Sequence, residues 1–434
     1  MKKRRLLLAA TAAAAGTLLV LGPLTTAASA APKPPKLPRL AVPHTVLLDG
    51  PTIAAVRARI SVGHGTAAQT AAVAALVRTA ESDLTAGPWS VMDKAEIPPS
   101  GDRHDYMSQA PYWWPSQPMT PDNPLGCPYI QKDGQRYPGA DAITDHTERG
   151  VAWNAIRDLT LAWYYTGRAD FAQRAELDVR TWFTNPATAM NPTLAYAQGI
   201  PCQTPGRGTG IIESSDQIVD VLDAFALLDA GAPGWTHTDH AKLQSWMTQY
   251  LNWMLTSTNG KDEEASTNNH GSWLDQQDAA IALYVGQRSQ AAAIAQSAKA
   301  NRIAVQIQAD GSQPLELSRT RSWHYSNFNV TALCRLAEVG RHVGVDLWSY
   351  TAPGGGSLSK AVDYLIPAAE NGPSSWPYQE LGTFDQTLAL YELHAAASEA
   401  HDGAARAAVR LAPAQGGTDL WPVEPDCQAT SSAG

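Results

Sequence analysis

Two short segments concentrate side chains able to hold an anion and move a proton. The first reads Asn268-Asn269-His270-Gly271-Ser272-Trp273, and the second Arg319-Thr320-Arg321-Ser322-Trp323-His324-Tyr325-Ser326-Asn327. Asn269 offers an amide donor, His270 donates or exchanges a proton, and Arg319 or Arg321 presents a planar fork that matches a carboxylate. Tyr325 adds a phenol that serves as acid or base. Each segment directly precedes a run with helical spacing: Leu274, Ile281 and Val285 follow the first, Val330 and Leu333 the second. Asn or Ser is a good N-cap, and a helix start carries N–H donors and partial positive charge, so both places suit an anion. The plainer alternative is that Asn268 or Asn269 only caps a helix, the arginines sit in surface ion pairs and Tyr325 packs with its hydroxyl satisfied. The pairing of two such clusters weighs against it.

A third feature is Tyr112-Trp113-Trp114-Pro115, shortly after His104-Asp105-Tyr106. The chain has 14 Trp against 5 Phe, and an indole face stacks well on the C–H face of a sugar, although such rings also build small loop cores. Tyr106, Tyr112, Trp113 and Trp114 are therefore candidate substrate contacts, as are Arg321, His324 and Gln198. Arg207, in Gly206-Arg207-Gly208-Thr209-Gly210, is either a further anion contact or a mobile surface charge. That stretch lacks the G-K-[ST] ending of a phosphate loop.

The elements that must position these residues are helices. Leu243, Trp246, Met247, Tyr250, Leu251 and Met254 fall on one face of an amphipathic helix, and so do Ile218, Leu222 and Phe225, Ile156, Leu159 and Trp163, and Val330, Leu333, Cys334 and Ala337. Convincing alternating strands are scarce. Gly167, Gly231, Gly286 and Gly340 are expected to end helices. They lie 64, 55 and 54 residues apart, a weak repeat of helix-turn-helix units that extends outward to Gly87 and Gly403. Some six to seven such hairpins either close into an all-α, incomplete α/α toroid or stack as an open solenoid. Residues 98–147 break the period. They are rich in Pro, Gly and aromatics, and a loop of that length is expected to be a lid over one end of the ring.

Residues 1–30 read as a secretion signal: Lys2, Lys3, Arg4 and Arg5, an apolar run, then Ala28-Ser29-Ala30. The general export route and the twin-arginine route both stay open. A Pro-rich leader (31–47), a single domain (48–425) and a short tail (426–434) follow. The mature chain has 28 Lys+Arg against 41 Asp+Glu, a formal charge of −13, the wrong balance for a nucleic-acid binder. No later apolar run reaches the ~20 residues of a membrane span. An anionic substrate therefore needs a local positive pocket in a negative body. Cys127, Cys202, Cys334 and Cys427 allow three pairings in an oxidising compartment, and Cys334 also reads as a buried small hydrophobe.

Taken together, His104-Asp105-Tyr106-Met107-Ser108, Tyr112-Trp113-Trp114-Pro115, Asn268-Asn269-His270-Gly271, Asp310-Gly311-Ser312-Gln313-Pro314-Leu315-Glu316-Leu317 and the Arg319–Ser326 run resemble the alginate lyase domain family of polysaccharide lyases. The closer likeness is to polysaccharide lyase family 38, which includes glucuronan and polymannuronate lyases. It spans roughly residues 85 to 400. The resemblance implies an α/α toroid that cleaves 4-linked uronates by β-elimination without a cofactor. It further implies that Asn269 and Arg319 neutralise the uronate carboxylate, that His270 assists or acts as base, and that Tyr325 transfers the proton. Contacts some relatives draw from the segment that here reads Glu213-Ser214-Ser215 are in doubt.

β-Elimination removes the C5 proton and breaks the C4–O bond, so donors aimed at the carboxylate stabilise the charge that develops. A neighbouring arginine is expected to lower the Tyr325 pKa from about 10 by about two units. In mannuronate and glucuronate H5 and O4 share a side and one phenol serves both steps; in guluronate His270 would be the base and Tyr325 the acid. The main rival is a glycoside hydrolase using Glu316 and Asp310, with Asp145 or Glu148 opposite. A second is a non-catalytic carbohydrate-binding protein. A metal enzyme is weaker, because His104, His146, His270 and His324 show no ligand spacing. The reading is a secreted, monomeric lyase of an acidic polysaccharide, with no metal, cofactor, nucleic-acid or membrane partner.

Overall fold

The computed structural model describes residues 37–411. The expected secretion signal, the C-terminal tail and Cys427 lie outside them. Fifteen helices are described. They are α1 (Gly50–Ser61), α2 (Ala67–Asp83), α3 (Asp145–Thr166), α4 (Ala169–Val179), α5 (Ser215–Asp229), α6 (His237–Thr256), α7 (Thr258–Glu264), α8 (Asn269–Tyr284) and α9 (Arg288–Ala298), then the short α10 (Ala304–Gln306) and α11 (Pro314–Leu317), then α12 (Ser322–His342), α13 (Leu358–Asn371), α14 (Leu390–Glu399) and α15 (Gly403–Leu411). Four short strands accompany them: β1 (Met107–Gln109), β2 (Trp113–Pro115), β3 (Tyr129–Gln131) and β4 (Tyr196–Gly199).

The helices form an α/α toroid. An inner row runs α3, α5, α8, α12, α14, each member touching the next, while α4 packs on α3, α6 and α9 on α8, and α13 and α15 on α14. The sequence patterns explain the layers. The six apolar positions expected on one face of α6 are its buried residues, which suits a helix with one face to solvent. In α8 nearly every residue is buried, including Ser272, Gln276, Gln277 and Asp278, because an inner helix has neighbours on all sides. Most of the tryptophans serve this core. Trp153, Trp182, Trp273 and Trp323 are fully buried, and Trp153 stacks on Phe183 with ring centroids 5.9 Å apart.

Gly167, Gly231 and Gly286 end or follow their helices with positive φ, as expected. Gly340 does not: α12 runs on to His342, and Gly344 takes the left-handed turn. Gly403 opens α15, directly after the turn at 400–402 that follows α14. The end of the Pro-rich leader is held in place, since the Asp223 carboxylate on α5 accepts the backbone N–H groups of Val46 (2.6 Å) and Leu48 (2.7 Å).

The long segment before α3 carries two small sheets: β1 pairs in parallel with β4, and β2 pairs antiparallel with β3. A disulfide between Cys127 and Cys202 ties it to the turn after β4. Cys334 is a buried free thiol. Among the described residues no helix is long and apolar enough to cross a membrane.

Candidate active site

The starts of α8 and α12 meet one another because a buried polar network joins them. Gln306 donates to the Asn268 carbonyl (3.1 Å) and accepts from Ser272 (2.9 Å) and Asn329 (2.9 Å); Asn329 also donates to Gln313, which donates to the Ser326 carbonyl. Gln306 bonds to both sides of the junction and so ties it together, while Asn329 Oδ1 stays buried without a partner. Gly271 is required at its place. A Cβ there would lie 2.4 Å from Arg302 Nη1, and that guanidinium ties Ser266 (2.7 Å) to Asp275 (2.9 Å) beneath the start of α8.

Above this junction lies a cleft of about 820 Å³, lined from α8 and α12 by Asn269, His270, His324, Tyr325 and the preceding Arg319, and from the long segment by Tyr112, Trp113 and Asp133. His270 Nδ1 is 2.7 Å from the buried Glu263 carboxylate. That contact fixes the ring with Nδ1–H toward Glu263 and leaves Nε2 as the basic nitrogen. The Tyr325 hydroxyl is 2.8 Å from that of Tyr112. The Arg319 guanidinium sits 3.6 Å above the Tyr325 ring, a cation–π contact, while its Nε and Nη2 donate to Asp133 at 3.0 and 2.5 Å.

Burial pushes the Tyr325 phenol well up, with Tyr112 adding to the shift and Arg319 opposing it. The expected lowering by arginine is therefore overturned. Arg319 meets the ring face and not the oxygen, and Asp133 already balances its charge, so desolvation wins. Burial also lowers His324 to about 4, with Arg321 and Arg319 adding to the shift, so it is neutral near pH 7.

A family model described as alginate lyase matches residues 90–376. The crystal structure of an alginate lyase from Bacteroides ovatus is 34% identical, covers 88% of this chain and 99% of that one, and superposes with a TM-score of 0.81.

The chain belongs to the alginate lyase family.

It is thereby a polysaccharide lyase. The fold alone is shared with alginate lyase A1-III from Sphingomonas species A1, at 16% identity and a TM-score of 0.50, over 78% of this chain and 82% of that one. Curated proteins give no match.

The lyase gathers most of the expected residues in one cleft: Tyr325, His270, Asn269, Arg319, His324, Tyr112, Trp113, Arg207 and Gln198. Three do not line it. Tyr106 is fully buried beneath, donating to Glu213 at 2.7 Å. Trp114 follows Trp113 on strand β2, where successive side chains take opposite faces, so it packs on Tyr137 and under Lys132 instead. Arg321 lies 3.7 Å from Glu380.

Both helix starts are also less open than their sequences suggest. The Glu316 carboxylate accepts the Asn269 backbone N–H and side-chain amide, both at 2.7 Å. Glu380 accepts the backbone N–H groups of Trp323 (2.7 Å) and His324 (3.2 Å), so α12 is capped by a carboxylate from a distant segment and not by a local Asn or Ser. The carboxylates that the sequence offers for a hydrolase are elsewhere. Glu316 is buried under Asn269, Asp310 holds a surface turn with Ser312, and Asp145 is buried 3.0 Å from Lys94. None of these three, nor Glu148, lines the cleft.

Sequence reasoning gave no role in the cleft to four residues that matter here. Asp133 and Glu263 set the states of Arg319 and His270. Arg149 and His146, on the first turns of α3, line the cleft. Their only sequence signal was one-turn spacing from the edge of the long segment, which names no chemistry.

Proposed function

We propose that this lyase is secreted and cleaves a 4-linked polyuronate, glucuronan or polymannuronate-type alginate, by β-elimination with Tyr325 as the proton-transfer residue. The observation that carries the reading is the convergence in one cleft of a buried phenol, an imidazole oriented by a carboxylate and the amide of Asn269. The alginate lyase from Bacteroides ovatus supports the uronate substrate, and residues 1–30 support export.

In this reading the uronate carboxylate lies against Asn269 and the Arg319 guanidinium, which stabilise the charge that develops as C5 loses its proton. Once it carries a proton, the phenol is the acid that meets O4. The base follows from the substrate. In mannuronate or glucuronate, where H5 and O4 share a side, the ionised phenol takes H5 and returns it to O4. In guluronate the two lie on opposite faces, and His270 Nε2 is the base.

The test is the ultraviolet absorbance of the C4–C5 double bond, followed with purified mature protein on glucuronan, polymannuronate, polyguluronate and hyaluronan. A rise with one uronan is the expected result and names the substrate. New reducing ends without that absorbance would overturn elimination.

A further inference from the structure

The α3 side of the cleft holds two arginines whose state differs from that of Arg319. Arg149 is 5% exposed, yet among the described residues no carboxylate lies in ion-pair range of it. Its Nη1 donates to Gln217 at 2.6 Å, its guanidinium lies 5.1 Å from the Trp153 ring, and its Nε is buried without a hydrogen-bond partner. Buried charges are normally paired, because an unpaired one loses its hydration with nothing in return. An arginine that is buried, unpaired and on the wall of a cleft is in the state an anionic ligand would complete.

Arg207 is built into the same wall. Its Nη2 donates to the Gln198 side-chain oxygen (2.7 Å) and its Nε to the Gln198 carbonyl (3.2 Å). Gln198 has φ +49, a left-handed conformation that a non-glycine residue holds only under constraint and that clusters at functional sites. The constraint is visible: the Gln198 backbone N–H donates to Ser108 Oγ at 2.8 Å, and Ser108 donates to Glu213. Glu213 is a buried acid of the same cleft, but its carboxylate accepts from Tyr106 and Ser108, with His146 Nδ1 at 3.6 Å. It makes no ion pair with either arginine.

We propose that Arg149 and Arg207 form a second carboxylate subsite, which holds a uronate of the same chain other than the one undergoing elimination. Arg149 lies on α3 and Arg207 precedes α5, and α8 stands between α5 and α12 in the inner row, so these cations and the Tyr325 hydroxyl serve different sugars. The substrate class that follows is a polymer with contiguous uronates, in preference to one in which each uronate alternates with a neutral or amino sugar. The proposal rests on the reading of the cleft as a uronan site.

The experiment uses the mature protein and a size series of oligouronates made from the polymer it cuts, with wild type and Arg207→Gln followed by absorbance of the unsaturated product. In the wild type kcat/KM rises with length until the second subsite is filled. Arg207→Gln is expected to lose that rise, with KM about 10- to 100-fold higher on long chains and kcat little changed, the size of a lost charge-assisted hydrogen bond. Because Arg207 also holds Gln198, Arg207→Lys is the second variant. It keeps the charge and loses the fork, so its KM should fall between the two.

Superimposable length curves for wild type and Arg207→Gln, or a fall in kcat at every length with KM unchanged, would overturn the subsite while leaving the lyase reading intact. A wild type that makes no unsaturated product from any polyuronate would overturn that reading itself, and the subsite with it.

Discussion

The two sides of the cleft hold arginines in opposite states. On the α8–α12 side, Arg319 faces Asp133, and Arg321, which does not line the cleft, faces Glu380. On the α3 side, Arg149 and Arg207 touch only amides, a carbonyl and a ring. The first pair sits in a dense motif; of the second, Arg207 stands out in its Gly-rich stretch and Arg149 has no motif around it. Residue type and spacing reveal where a charge is, whereas the carboxylate that neutralises it comes from a segment nearly two hundred residues away. Asp133 reaches Arg319 from the hairpin of the long segment, and Gly134 beside it has φ +70 with Thr320 so close that a Cβ would lie 2.4 Å from its Oγ1. In the readings proposed above, the motif side serves the chemistry and the α3 side serves the polymer.

The largest effect should come from the motif side. Tyr325→Phe keeps the ring under Arg319 and removes the proton, so kcat is expected to fall about 10²- to 10⁴-fold with little change in KM. Near-normal turnover by this variant would move the proton transfer to another group. The pH profile sharpens the point. Because burial holds the Tyr325 phenol above its ordinary value, its ionised form grows about tenfold per pH unit through the neutral range. A mannuronate or glucuronate substrate should then be cut faster as pH rises. The sign for stability is opposite: a raised pKa favours the neutral phenol in the folded state, a contribution present below about pH 10 and lost as pH rises above it. The measurement is initial rate across an alkaline series, at pH values where circular dichroism shows the fold intact.

Next in size is the contrast between the two kinds of arginine. Arg319→Ala removes the cation above Tyr325 and leaves the Asp133 carboxylate beside the phenol, so kcat and KM should both worsen, with kcat/KM down about 10- to 100-fold. Asp133→Asn in the same background removes the stranded charge and should recover part of kcat. If Arg319→Ala instead changed KM alone, in the manner expected of Arg207→Gln, the division of labour between the two sides would collapse.

The fold was largely legible, and the reasons are physical. A period of 3.6 in apolar residues reports burial directly, so the face of α6 could be read residue by residue. The strands β1 to β4 were hidden because three or four residues carry too little alternation to register. Gly340 misled because a glycine inside an inner helix serves close packing: a Cβ there would lie 2.7 Å from the Val345 carbonyl oxygen. The candidate site was legible wherever neighbours in sequence are neighbours in space, as in Asn269-His270 and Arg319 to Tyr325. It was not legible where the partner arrives from another element. Glu263 on His270, Glu316 on Asn269 and Glu380 on the start of α12 all do so.

The smallest effect tests the same lesson on two adjacent tryptophans. Trp113 and Trp114 are equivalent as sequence, but β2 sends them to opposite faces, and only Trp113 lines the cleft. Trp114 donates to the Gln135 carbonyl (2.8 Å) and lies 4.4 Å from the Lys132 ammonium, within the hairpin of its own segment. Trp113→Ala is therefore expected to raise KM about 2- to 10-fold, the size of one aromatic contact beyond area burial. Trp114→Ala should leave KM within about twofold, showing instead as a loss of thermal stability of about 1 kcal/mol from the cation–π and ring contacts. Steady-state kinetics beside thermal denaturation separates the two. Equal KM effects would mean that the hairpin turns on substrate binding and that both rings reach the sugar; a silent Trp113→Ala would leave the polar and charged groups of the cleft as the sole recognition of the chain.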